Sequence, residues 1–174
     1  DALLGQILRQ DPQGRVVLVE ESYYHWNDLL KQRFNQTLPD VTERIQWLPR
    51  QSFSDYLNLL AIADVMLDTL HFGGGSTTYE ALAMGLPIVT YPSSYLRGRF
   101  AYGCYQRMGV MDCVAHSLEH YVEIAVRLGT DPNYRAQIKT TILATNPVLY
   151  ENREVVQEFE RFLVAAVEET KGLE

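Results

Sequence analysis

At 174 residues, 47% of them hydrophobic, the chain can bury one substantial core, and nothing in its composition points to disorder, collagen or a fibrous repeat. Its formal charge of -7 comes from acidic residues spread along the chain, which excludes a basic footprint for nucleic acid or for an anionic membrane surface. Two cysteines, Cys104 and Cys113, are too few for a disulfide framework and lack zinc-site spacing, so they read as buried free thiols.

No apolar segment reaches the length of about 20 residues that spans a bilayer, and the first residues do not form a signal peptide, so a cytoplasmic setting is expected. In chain order, Leu3, Leu4, Ile7 and Leu8 have helical spacing from the start, which reads as the end of a helix begun earlier and suggests a piece of a larger protein. Asp11-Pro12-Gln13-Gly14 breaks that helix, and Val16 to Val19 follows as a β-branched strand.

Trp26, Leu29, Leu30 and Phe34 give a helical face before Pro39 and a strand from Ile45 to Leu48. Ser52, with Asp55 three residues on, starts a helix through Leu57, Leu60 and Ala61, which leads into an apolar strand over 63–68. A glycine loop, a helix from Thr77 to Met84 and a strand from Pro87 to Tyr91 form the next unit; Gly98 to Met108 then leads to a short strand near Cys113-Val114.

Ser117 to Leu128, a helix begun by Asp131-Pro132 and an amphipathic run from Glu151 to Thr170 complete the chain. Alternation of strand and helix predicts an α/β fold, a doubly wound and mostly parallel Rossmann-like sheet of about five strands. One domain over residues 1–174 is expected, with residues 115–174 as its mainly helical flank.

The run His71-Phe72-Gly73-Gly74-Gly75-Ser76-Thr77-Thr78 lies between two strands, at the carboxyl edge where open parallel sheets bind ligands. Three glycines admit a ligand close to the backbone, and the free N–H groups of the helix behind them attract anions, so Gly73, Gly74, Gly75, Ser76, Thr77 and Thr78 form a candidate diphosphate seat. The loop fits neither the dinucleotide fingerprint nor the P-loop, which leaves a nucleotide sugar open.

Glu80 has two readings, the partner of Thr77 in a capping box or an acceptor for ribose hydroxyls. Tyr56 either stacks on a base or packs against its neighbours. Arg97 and Arg99 either meet a phosphate or acceptor or are solvated, and His71 is placed to touch a donor. His25, His116 and His120 lack metal spacing, and no metal site or hydrolase-type nucleophile is expected.

The runs Ala63 to Thr69, the glycine loop with Thr77-Thr78, Glu80 to Val89 and Tyr121 to Asp131 resemble the carboxyl-terminal lobe of O-linked N-acetylglucosamine transferases, and within them the SPINDLY-like and bacterial, often tetratricopeptide-linked members. The resemblance covers the chain from about Arg44 onward. It implies one lobe of a GT-B fold that holds a nucleotide sugar, with Thr77 and Thr78 at the diphosphate and Arg50 and Tyr56 at the base; the ribose carboxylate of eukaryotic members falls one position after Glu80, which matches the glutamate of the wider GT-B pattern.

It further implies an inverting transfer from a UDP-sugar, N-acetylglucosamine or another hexose, to a protein acceptor, with no metal or other cofactor. The acceptor-side catalytic residues belong to an amino-terminal lobe outside this chain, so the chain alone is expected to be inactive. Ser76 stands where eukaryotic members have histidine, and Phe53 where they have a lysine near the base. A non-catalytic nucleotide-sugar-binding module and a nucleotide-sugar 2-epimerase of the same architecture are the alternatives.

Overall fold

Polar side chains just ahead of apolar periodic runs start several helices in the computed structural model, which describes residues 1–171. Ser52 accepts from the Asp55 amide at 3.2 Å and opens α3 (Phe53–Ile62), following α1 (Ala2–Gln10) and α2 (Tyr24–Thr37). After α4 (Ser76–Ala83) and α5 (Phe100–Met108), Ser117 caps α6 (Leu118–Thr130) through the His120 amide. The Asp131 carboxylate takes the Asn133 and Tyr134 amides at the head of α7 (Pro132–Thr145), whose first residue is the expected proline.

Four short strands, β1 (Val16–Val19), β2 (Ile45–Leu48), β3 (Met66–Leu67) and β4 (Ile88–Val89), form two parallel ladders. β1 pairs with β2 from Val16 opposite Ile45 to Val19 opposite Leu48, and β3 pairs with β4 through Met66–Ile88 and Leu67–Val89. The parallel α/β character agrees with expectation. The sheet of about five strands does not form as one ladder: no strand pairing joins the two halves among the described residues, and the expected strand at Cys113-Val114 is a single bridge from Thr90 to Val114.

The run 63–68 likewise narrows to Met66–Leu67, while Ala63 and Val65 pack against the core outside the ladder. That main core is built around Ile88 and Val89, both fully buried, with Leu82, Tyr105, Leu128 and Ile142 brought in by α4 to α7. A smaller core of Leu8, Phe34, Leu38, Val41 and Ile45 lies under β1 and β2. Arg44 closes the end of α1 by donating to the carbonyls of Leu8 (2.5 Å) and Asp11 (2.8 Å), groups that the helix itself leaves without donors.

Beyond residue 115 the chain forms α6, α7 and α8 (Arg153–Lys171), with residues 172–174 outside the described ones. Apolar side chains of α8, among them Phe159 and Phe162, are exposed. Among the described residues no helix is long and apolar enough to cross a membrane. Cys104 and Cys113 are buried and free.

Candidate functional site

An apolar strand that ends in a carboxylate organises the glycine loop. Asp68 follows β3, is buried, and accepts from the Gly74 amide at 3.0 Å through Oδ1 and from the Thr90 hydroxyl at 2.8 Å through Oδ2. Its own carbonyl accepts from the Tyr121 hydroxyl at 2.9 Å. The loop is thereby tied from beneath to the ends of β3 and β4.

From the other side, Arg97 holds the loop twice. Its carbonyl accepts from the Gly73 amide at 2.7 Å, and its Nε donates to the His71 carbonyl at 3.1 Å, while the guanidinium lies 4.7 Å from the Tyr95 ring centre. Arg99 donates to the Ser93 carbonyl at 2.8 Å and lies over Tyr102. Both arginines therefore shape the loops at this edge, with Arg97 exposed and Arg99 half-buried.

The glycines are present for room rather than for a left-handed backbone, since the positive-φ glycines are Gly85 and Gly109. A Cβ on Gly73 would stand 2.9 Å from Asp68 Oδ1, and one on Gly74 would stand 2.6 Å from Thr77 Oγ1 and 2.8 Å from Thr78 Oγ1. Around Gly75 nothing lies within 4 Å, so the surface there is open to an incoming group.

α4 begins at Ser76 with Gly75 as its cap residue and no side-chain cap. The expected capping box of Thr77 and Glu80 is thus absent: Thr77 is already the second residue of the helix, so its hydroxyl is out of position to cap. Thr78 also departs from expectation. It is fully buried, its amide donates to the Gly75 carbonyl and its hydroxyl to the Gly74 carbonyl at 2.8 Å, so its side chain supports the loop instead of facing a ligand.

Among the described residues, no protein acceptor takes up the amides of Gly75, Ser76 or Thr77. Together with the exposed Ser76 hydroxyl and the half-buried Thr77 they form the positive end of a helix at the carboxyl edge of a parallel ladder. That arrangement can hold an anion.

Glu80 and Tyr56, on the neighbouring helices α4 and α3, are brought together. Burial first, and then the charge of Glu80, raise the Tyr56 phenol above its ordinary value. Tyr56 is half-buried against the main core. Arg50 is exposed at the end of β2 and donates to the Ser22 hydroxyl at 2.6 Å, so it joins the loops of the first ladder and makes no bond to the glycine loop. His116 and His120 lie with ring centres 4.0 Å apart and planes tilted by 45°, and the described residues hold no group of three or more His, Cys, Asp or Glu side chains placed for a metal.

Asp68, Thr90 and Tyr121 were not among the expected site residues. The one signal in the sequence is the carboxylate itself, an acidic residue closing an apolar strand immediately before a glycine loop.

The family model described as glycosyl transferase family 41 matches residues 6–159. A probable UDP-N-acetylglucosamine–peptide N-acetylglucosaminyltransferase SPINDLY of Arabidopsis thaliana is 29% identical over 151 residues, 83% of this chain and 16% of that protein. The UDP-N-acetylglucosamine–peptide N-acetylglucosaminyltransferase of Caenorhabditis elegans is 35% identical over 104 residues, 59% of this chain and 9% of that protein. A solved mutant of the O-GlcNAc transferase of Thermobaculum terrenum superimposes with a TM-score of 0.79 at 26% identity, covering 91% of this chain and 32% of that one. The chain therefore spans a minor part of the relatives it matches.

Proposed function

This chain belongs to glycosyl transferase family 41, and from that premise we propose that it is the donor-binding lobe of an inverting glycosyltransferase that moves a hexose from a UDP-sugar to a protein. The observation that carries the reading is the row of open amides at Gly75, Ser76 and Thr77 on the N-terminus of α4. A diphosphate seated there gains hydrogen bonds and the helix dipole, and the same groups stabilise the charge that grows on the departing UDP. Ser76 and Thr77 supply hydroxyls to it, and Thr78 keeps the loop in shape from below.

Glu80 faces the ribose and Tyr56 and Arg50 the base; His71 and Arg97 border the sugar or acceptor side, with Arg99 behind them. The lobe occupies residues 1–174, and the acceptor-side residues belong to a second lobe. N-acetylglucosamine is the favoured sugar, since the similar proteins of Arabidopsis thaliana and Caenorhabditis elegans are named as UDP-N-acetylglucosamine transferases. A cytoplasmic setting belongs to the same proposal, supported by two buried cysteines that form no disulfide.

Calorimetric titration with UDP tests it, using Ser76→Glu as the control. A glutamate in the first turn of a helix favours folding, yet it places a carboxylate where the diphosphate sits. Binding by the unaltered chain and a loss of about tenfold or more in the variant, ~1.4 kcal/mol, is the expected result. Absence of UDP binding, or equal binding by both, refutes the assignment.

A further inference from the structure

We infer that Asp68 is a positioning residue of the donor seat, a buried latch that sets the direction of the open amides without touching the donor. This rests on the reading of Gly75 to Thr77 as the diphosphate site. The case is geometric. Asp68 is 6% exposed, and its two oxygens divide their work between the loop (Gly74 amide, 3.0 Å) and the sheet (Thr90 hydroxyl, 2.8 Å).

Gly74 is held on both sides of its Cα, its amide, in the Gly73–Gly74 peptide, by Asp68 and its carbonyl, in the Gly74–Gly75 peptide, by the Thr78 hydroxyl at 2.8 Å. The next three amides in the chain are the open ones. Rotation of the Gly73–Gly74 peptide would swing Gly74 and the amides that follow it away from a common focus, so the carboxylate controls binding through a residue it fixes. Asp68 cannot drift, because the Tyr121 hydroxyl holds its carbonyl at 2.9 Å and its amide donates to Val89 at 2.9 Å. Gly73 has no side chain at the point where a Cβ would strike this carboxylate.

A merely structural role would make stability and UDP affinity fall together; the latch separates them. Thr90→Val removes the sheet side of the bond pair and leaves the Gly74 side, Asp68→Ala removes both, and Asp68→Asn keeps an acceptor for Gly74 and a donor for the Thr90 oxygen. Each chain is titrated with UDP, melted, and examined by NMR for exchange of the Gly74 amide.

The expected result is a loss of about tenfold or more in UDP affinity with rapid Gly74 exchange in Asp68→Ala. Asp68→Asn retains both the affinity and the protected amide, and Thr90→Val melts lower but binds UDP as the unaltered chain does. Should Asp68→Ala be unfolded at the assay temperature, Asp68→Ser, too short to reach Gly74, takes its place with the same expectation.

UDP binding by Asp68→Ala equal to that of the unaltered chain, or an equal loss in Thr90→Val, overturns the inference. If the unaltered chain does not bind UDP, it is the donor-site reading that falls.

Discussion

The Thr78 hydroxyl donates to the Gly74 carbonyl at 2.8 Å while Thr78 itself is fully buried, whereas the neighbouring Thr77 is half-buried and its hydroxyl bonds to no group among the described residues. The two threonines, adjacent in sequence, therefore do different work. Thr78→Val leaves a half-buried carbonyl without its donor and is expected to lower stability by about 1 kcal/mol, with UDP affinity falling as a consequence. Thr77→Val is expected to change stability by no more than ~0.5 kcal/mol while weakening UDP several-fold. Urea unfolding and UDP titration of the pair decide it, and the reverse order of stability losses would contradict the assignment.

Glu80 supplies a second separation of roles. Its carboxylate caps nothing and enters no ion pair among the described residues, so Glu80→Gln is expected to leave the melting temperature unchanged. Loss of a charge-assisted bond to ribose would weaken UDP by about tenfold and leave inorganic pyrophosphate binding as it was. Because the Glu80 charge helps to raise the Tyr56 phenol, the same variant moves the Tyr56 titration downward. A clear drop in melting temperature would restore the capping role that the start of α4 at Ser76 denies.

What the sequence made legible was local. Ser52 with Asp55, and Asp131 with Pro132, announce helix starts because each cap spans two or three residues and the partner is a backbone amide next door. The glycine loop was legible as a strand-to-helix connection for the same reason. The start of its helix was not: Ser76, Thr77 and Thr78 offer three consecutive hydroxyls, yet the cap residue is Gly75 and the Thr78 hydroxyl turns back to the Gly74 carbonyl. Asp68 bonding to Thr90, 22 residues away, and Tyr121 to Asp68, 53 residues away, join positions that no periodicity relates. The single sheet of about five strands was misread likewise, since β3 and β4 contribute two residues each and their ladder stands apart from that of β1 and β2.

α8 bears an amphipathic pattern, yet Val155, Val156, Phe159, Phe162, Leu163 and Val167 are all exposed. A helix that buries so little contributes little to the stability of the rest. Removal of residues 153–174 is therefore expected to leave the melting temperature of the remaining chain unchanged and to reduce binding of a hydrophobic dye. A fall of about 2–4 °C, equivalent to ~1 kcal/mol in a chain of this length, would mean that α8 packs on the core.

The main core also fixes the alkaline limit of the fold. Burial pushes the Cys113 thiol from its ordinary 9.0 up to about 12, and burial likewise raises the phenols of Tyr105 and Tyr121. For each group the unfolded chain ionises first, so the stabilisation is complete below the unfolded pKa and is lost as pH climbs toward the folded one. For Cys113 that window runs from 9.0 to about 12, and the tyrosines extend the loss above pH 10. Within the window each group contributes a slope of up to about 1.4 kcal/mol per pH unit. Urea unfolding at pH 8, 9, 10 and 11 is expected to give a falling stability whose slope steepens above pH 10, and Cys113→Ala, which has no thiol to ionise, is expected to flatten the 9–10 interval. A stability that holds constant from pH 8 to 11 would mean that these groups ionise as readily inside the core as in the unfolded chain, against the burial of Tyr105 and Cys113.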